Sequence, residues 1–387
     1  MMIRIFCLLL LLTICSINAT VAKEITIGKS ETLHSAILNE QRGLLVSLPK
    51  GYDKSGYSYP VIYFTDADAH FELMVSTVNF LIQSDIIPPL ILIGIQTSSN
   101  RTRDLTPKIF NEEDKKHPWF QSTEYGGANK FLAFIEQELI PHVDKKYRTA
   151  DFKIFSGHSF GGLFSIYTYV NKPNLFDGFM AISPSLGWDN ERIVNEAKEL
   201  IKNNSLPKKP LFLSKGSEQG TIATSYTSII NLFEKDTTYP MIAQEFPDEN
   251  HLTVVFDAQF HGLKAIFMEW ELPFLESAKG LKLVETHSKK VKEAFKINFT
   301  SENWLINLGN SLYYKKSYDS AIEAYEYNLK LFPSHAYSYF QLAKTYEAKK
   351  EYKLARVNYI KANELVPVSS PFKSTYELAI QNLTSKE

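Results

Sequence analysis

The chain has 387 residues, 42 Lys+Arg against 43 Asp+Glu for a formal net charge of -1, with 44% hydrophobic and 13% aromatic residues. That balance fits a globular protein of two or three folding units and excludes disordered, collagen-like and polytopic membrane chains. The cancelling charge leaves no basic field to hold a phosphate backbone, which excludes nucleic acid as a partner.

In chain order, residues 1–22 come first. Arg4 supplies a positive charge, Ile5 to Ile17 is almost wholly apolar, and the small residues Ala19 and Ala22 follow, the order of a secretory signal peptide. The apolar run is shorter than the roughly 20 residues of a spanning helix, so the reading is export, to the periplasm or medium, with no membrane span in the mature chain. Both cysteines, Cys7 and Cys15, lie in this segment, and the chain from about Lys23 has no thiol for a disulfide or a nucleophile. Acylation of Cys15 as a lipoprotein is disfavoured by the bulky Ile14 before it.

Residues 24–277 alternate short β-rich runs with amphipathic stretches, as a mainly parallel sheet with helices on both faces requires. The expected strands are Gly43 to Leu48, Val61 to Asp66, Leu90 to Gln96, Lys153 to Ser159, Gly178 to Ser183, Leu211 to Lys215 and Met241 to Phe246. Helices are expected over His70 to Gln83, Gly127 to Tyr147, Leu163 to Val170, Asn190 to Asn203, Ser225 to Glu234 and Thr253 to Phe274. Thr97 to Tyr125 is polar, contains proline and shows no periodicity; a connection that long is expected to line a site. The fold class is therefore α/β, followed by an all-α region.

Residues 278–300 are lysine-rich and amphipathic, a linker or docking helix. Residues 301–387 then repeat with a period of 34: Leu308 matches Leu342, Tyr318 matches Tyr352, Ala321 matches Ala355, Tyr325 matches Tyr359, and Pro333 matches Pro367. In paired helices the alanines allow close approach, the tyrosines and leucines fill the seam and the proline stops the second helix. This is the tetratricopeptide pattern in two units, with Gly309 at its small position. About three such units are normally needed for a continuous core, so two must lean on the linker helix, on a terminal helix over Ser374 to Leu383, or on the first domain. A protein partner is the expected ligand of the repeats.

The segment Ser156-Gly157-His158-Ser159-Phe160-Gly161-Gly162 places Gly-x-Ser-x-Gly between a strand and a helix. A serine on so sharp a turn adopts strained angles, and side chains two residues either side would collide, hence glycine at both. Ser159 is the candidate nucleophile. Its base must follow a strand further along the chain, and His251, just after Met241 to Phe246, is better placed than His261 inside the next helix. His158 is read as packing and support. For the acid, Glu218 beyond the strand Leu211 to Lys215 is favoured over Asp189 and Asp248. The oxyanion would be met by the amide of Phe160 and by that of Ala67, with Asp68 the competitor for the second position. Arg101 or Arg103 in the long loop is a candidate contact for an anionic substrate and Trp188 a candidate aromatic wall. No metal-ligand or phosphate-cradle spacing appears, so no cofactor is needed.

Several of these motifs together resemble the secreted esterase-D-type serine esterases, which include enterochelin and other ferri-siderophore esterases, some ending in tetratricopeptide repeats. They are Leu38-Asn39-Glu40-x-Arg42, Tyr59-Pro60-Val61-Ile62-Tyr63 with Asp66-Ala67-Asp68-Ala69-His70-Phe71, and Arg103-Asp104-Leu105-Thr106-Pro107. Gly157 to Gly162, Ser183-Pro184-Ser185 with Trp188, and Glu249-Asn250-His251 complete the set. The resemblance spans about Leu38 to Phe274 and implies an α/β-hydrolase fold, Ser159 as nucleophile, His251 as base, Glu218 as acid, and a small-molecule or siderophore-type ester as substrate. The chain departs from many relatives in carrying Ala67 where they have glycine, which bears on the second oxyanion donor. An acyltransferase using the same acyl-enzyme, or a repeat-mediated binding protein with an inactive hydrolase fold, are the rival expectations.

Overall fold

The computed structural model describes residues 26–116 and 123–384. The expected signal segment, its two cysteines and part of the long loop lie outside the described residues. Eight strands form one sheet in the order β1-β2-β4-β3-β5-β6-β7-β8. They are β1 (Lys29–Ser35), β2 (Glu40–Ser47), β3 (Tyr59–Phe64), β4 (Ile91–Ile95), β5 (Thr149–His158), β6 (Gly178–Ile182), β7 (Leu211–Lys215) and β8 (Met241–Glu245). β1–β2 and β2–β4 pair antiparallel, and every later neighbour is parallel. In β3, β4 and β6 every residue is buried, so side chains alternating to both faces are all covered.

The helices are α1 (Ala67–Gln83), α2 (Arg101–Leu105), α3 (Glu112–Lys115), α4 (Ala128–Phe134), α5 (Ile140–Lys146), α6 (Phe160–Asn171), α7 (Arg192–Lys202), α8 (Thr221–Phe233) and α9 (Val254–Ile266), then α10 (Phe274–Ser277), α11 (Leu281–Ala294), α12 (Glu302–Tyr314), α13 (Tyr318–Leu331), α14 (Ala336–Ala348), α15 (Tyr352–Leu365) and α16 (Lys373–Thr384). α1 packs with α9, while α6 packs with α2 and α7.

Three differences from the sequence reading have physical causes. β1, KSETLHS, is an additional strand that is mostly exposed; lacking apolar alternation, it is held by its ladder to β2 and by Glu138, which accepts from the amides of Ala36 (2.9 Å) and Ile37 (3.1 Å) in the turn. The helix expected over Gly127 to Tyr147 is interrupted by a π-turn, Ile135–Leu139, just before Pro141, whose missing N–H breaks the regular ladder. The long loop contains α2 and α3, and Asp104 and Leu105 in it are fully buried.

The C-terminal helices sit on the first core. Trp304 of α12 packs against Trp270 at a centroid distance of 4.9 Å, and Phe299 lies against Tyr57 (5.3 Å) and Tyr59 (5.5 Å). Phe295 meets Phe152 edge-on at 5.1 Å, and the hydrophobic cluster runs unbroken from the sheet through Val284 and Val291 of α11 to Leu308. Ser301 caps α12 by accepting from Asn303 N and donates its hydroxyl to Asp85 Oδ1 at 2.7 Å. Within the helices, Ala321 and Ala355, Tyr325 and Tyr359, and Leu308 and Leu342 are all buried. A Cβ on Gly309 would stand 2.4 Å from the Tyr325 ring, so that helix contact tolerates no side chain.

Candidate active site

The sheet ends in a tight corner at Ser159. Its backbone sits at φ 60°, ψ -113°, a conformation costly for any residue with a Cβ, and α6 begins at the next residue. A Cβ on Gly157 would lie 2.2 Å from the Gly161 carbonyl oxygen, and one on Gly161 would lie 2.3 Å from Thr65 Oγ1. Both glycines of the motif are therefore required by contact, and the strain presents Ser159 at the C-terminal edge of β5.

His251, in the turn after β8, brings Nε2 to 3.0 Å from Ser159 Oγ and Nδ1 to 2.8 Å from Glu218 Oε1, just beyond β7. Glu218 is nearly buried; burial favours its neutral form, but the Ser183 hydroxyl and the His251 ring outweigh this and hold its pKa below the usual glutamate value. A charged carboxylate only accepts, so Nδ1 carries the proton and Nε2 is left to accept from the Ser159 hydroxyl. Ser185 Oγ stands 3.3 Å from Ser159 Oγ. The other two acids are elsewhere: Asp189 accepts from the amides of Phe110 (2.9 Å) and Asn111 (2.7 Å), and Asp248 is exposed. His261 lies on α9 between Phe246 and Phe260.

The His158 ring lies tilted against that of His251 at 4.7 Å and its Nε2–H donates to the His251 carbonyl at 2.7 Å. Burial, with the neighbouring His251 adding to it, pulls the His158 pKa down to about 4, so it is neutral at pH 7 and holds the His251 main chain in place.

Ala67 is the first residue of α1 and Phe160 the first of α6, so both amides belong to helix N-termini beside Ser159. Asp66, at φ 58°, receives Arg101 through two bonds, Nε to Oδ1 at 2.8 Å and Nη2 to Oδ2 at 2.9 Å. The same guanidinium donates to the His158 carbonyl at 3.2 Å and lies 5.5 Å from the Phe160 ring centroid, so it brackets Ser159 from the residues before and after it. Arg103 is different. It pairs with Glu40 (2.8 Å) and Asp104 (2.7 Å) in a network that also holds Arg42, so its charge fixes the loop and is not presented to a substrate. Trp188 donates Nε1–H to the Pro107 carbonyl at 3.0 Å, meets Phe160 edge-on at 5.4 Å, and walls a cavity of about 240 Å³ with Phe110, Leu163, Tyr167 and Arg192. Among the described residues no group of three His, Cys, Asp or Glu side chains is placed to hold a metal ion.

The Arg101–Asp66 pair and Ser185 were not singled out as a unit by sequence. Asp66 and Ser185 stood in the quoted motifs, and their position was a further signal: they lie in the turns two and three residues past the ends of β3 and β6, the neighbours of β5.

The family model Esterase, described as "Putative esterase", matches residues 35–253, more than half of the chain and a span that contains Ser159, Glu218 and His251. The chain belongs to this esterase family. Ferri-bacillibactin esterase BesA of Bacillus subtilis is 31% identical over 206 residues, which cover 49% of this chain and 71% of that protein. A siderophore enterobactin esterase of Emericella nidulans is 33% identical over 171 residues, 40% of this chain and 55% of that one. Among solved structures, an IroE-like serine hydrolase from Shewanella oneidensis superposes with a TM-score of 0.63 at 28% identity, over 75% of this chain and 95% of its own. An uncharacterised Capnocytophaga ochracea protein, at 18% identity and TM-score 0.56, shares the fold over 92% of this chain, C-terminal helices included, and 99% of its own.

Proposed function

We propose that this esterase is an exported serine hydrolase that cleaves a carboxylic ester through an acyl-enzyme on Ser159. The observation that carries the reading is the hydrogen-bonded chain Ser159–His251–Glu218, at 3.0 and 2.8 Å. As Ser159 Oγ attacks the carbonyl carbon, its proton passes to His251 Nε2, and Glu218 stabilises the imidazolium. His158, neutral beneath that ring, adds no second positive charge. The tetrahedral oxygen is met by the amides of Phe160 and Ala67, with Arg101, anchored by Asp66, supplying a fixed positive charge beside them. Collapse returns the proton from Nε2 to the departing alcohol, and water then repeats the sequence on the acyl-enzyme.

The names of the relatives point to a siderophore-type ester as substrate. The 34-residue spacing of α12–α13 and α14–α15 supports reading them as two tetratricopeptide repeats offering a surface to a protein partner. The test is turnover of a p-nitrophenyl ester and of a ferri-siderophore lactone by the purified protein and by Ser159→Ala. The reading expects hydrolysis that the substitution lowers by at least about 10⁴-fold; equal activity of the two proteins overturns it.

A further inference from the structure

We infer that Ser183 is a positioning residue for the acid of the site: its hydroxyl donates to Glu218 Oε2, the oxygen that His251 does not use, and the strained backbone at Ser183 is kept for that contact. The inference rests on the acyl-enzyme reading above. Ser183 is fully buried at φ 40°, in the turn after β6. Glycine adopts that angle at little cost, so a plain turn there has no use for a side chain.

The turn is clamped between the nucleophile and the acid. Ser159 N donates to the Ile182 carbonyl at 2.9 Å, and Ser185 N donates to the Ser159 carbonyl at 3.1 Å. On the other side Ser183 N donates at 2.8 Å to the carbonyl of Ser214, on the strand that leads to Glu218. Gly162 of α6 closes the turn from the helix side, since a Cβ there would stand 2.9 Å from the Ile182 carbonyl oxygen and from Pro184 Cα. Ser183 Oγ and Glu218 Oε2 are both buried, and neither is hydrogen-bonded in the resting geometry. Buried polar atoms pair, and contacts in a resting active site are often long and tighten when charge develops. Burial raises the Glu218 pKa, and of the groups that lower it the Ser183 hydroxyl stands first. His251 holds Oε1, so the hydroxyl falls to Oε2, and contacts at both oxygens fix the plane of the carboxylate.

The experiment follows kcat and the pH profile of kcat/KM on p-nitrophenyl butyrate for the full chain, Ser183→Gly, Ser183→Ala and Ser165→Ala, with melting curves for all four. Ser165, on α6, is the control: another fully buried serine whose hydroxyl has no partner. Ser183→Gly removes the hydroxyl and relieves the strain together, so it folds even where Ser183→Ala does not. The inference expects kcat to fall about tenfold in both Ser183 variants, with Ser183→Gly melting no lower than the parent. It also expects the acid limb to move up by about half a pH unit, because a carboxylate relieved of a donor pulls harder on His251 Nδ1–H. The ionisable neighbours are His158, neutral beside the His251 ring, and Tyr226, which burial keeps protonated with Glu245 and Glu218 adding to it, so the limb reports the Glu218–His251 pair. Ser165→Ala leaves rate and limb unchanged. An unmoved acid limb in Ser183→Gly overturns the inference, as does kcat within about twofold of the parent or a melting temperature well below it. A parent that no fluorophosphonate labels overturns the acyl-enzyme reading and this inference together; a labelled parent with unaltered Ser183 variants overturns this inference alone.

Discussion

The corner around Ser159 and the C-terminal helices are built on opposite terms. In the first, non-glycine residues are forced to positive φ where strands end: Asp66 (58°) after β3, Ser159 (60°) after β5, and Ser183 (40°) after β6. Each turns the chain at a strand end: Asp66 there holds Arg101, and Ser159 faces His251. Among α12 to α16 the positive-φ non-glycine residues are Lys316 (60°) and Lys350 (64°), 34 residues apart and each just past a helix end, where such a residue simply terminates the helix. One region gives up stability for geometry; the other repeats an inexpensive packing unit. Substitutions should therefore separate cleanly, with the corner changing rates and the helices changing melting.

The largest separation is expected from Glu218→Gln. It keeps the shape but removes the charge that fixes the His251 tautomer, so kcat should fall about 10⁴-fold with the melting temperature within about 2 °C of the parent. Arg101→Ala should lower kcat about 10²-fold, removing the positive charge beside the oxyanion position while Asp66 keeps its bond from Thr97, again with little change in melting. A large drop in melting temperature with kcat retained, for either, would erase the distinction between the regions.

Tyr359→Ala makes the reverse case. The ring is buried between α14 and α15, and its hydroxyl donates to Glu347 at 2.7 Å, so its loss should cost the helical region about 3–5 kcal/mol while kcat/KM stays within about twofold. Differential scanning calorimetry should show an early transition in this variant. The smallest effect concerns the seam. Burial raises the Asp85 carboxyl to about 6, against which the bond from Ser301 works. The folded state thus holds this proton more tightly than the unfolded one, so Asp85 lowers stability as pH rises from about 4 to 6 and the cost is complete above 6. Asp85→Asn, which keeps an acceptor for Ser301, should melt a few degrees higher at pH 7.5, with the gain shrinking below pH 6 and gone near 4. A gain independent of pH would assign it to packing instead.

What could be read in advance follows the same division. The parallel strands announced themselves as continuous apolar runs, and the 34-residue period located each helix pair. Ser159 was chosen on its motif, and His251 and Glu218 as the histidine and the carboxylate in the loops that follow β8 and β7; the three form one hydrogen-bonded chain. β1 was missed because it has no apolar face of its own. Arg101 and Arg103 were both candidates for a substrate contact, yet Arg103 is bound to Glu40 and Asp104 while Arg101 reaches Asp66 beside the serine. Two arginines two residues apart in one loop look alike until their distant carboxylates are placed. The Trp270–Trp304 contact was equally hidden, since which large aromatic covers which is settled only when both units are folded.

The account depends above all on Ser159 being an activated nucleophile. Intact-mass and peptide mapping after reaction with a fluorophosphonate test this directly. One adduct on Ser159, abolished in Ser159→Ala and slowed in Glu218→Gln, is the predicted result; an unmodified protein, or an adduct on another residue that persists in Ser159→Ala, would contradict it.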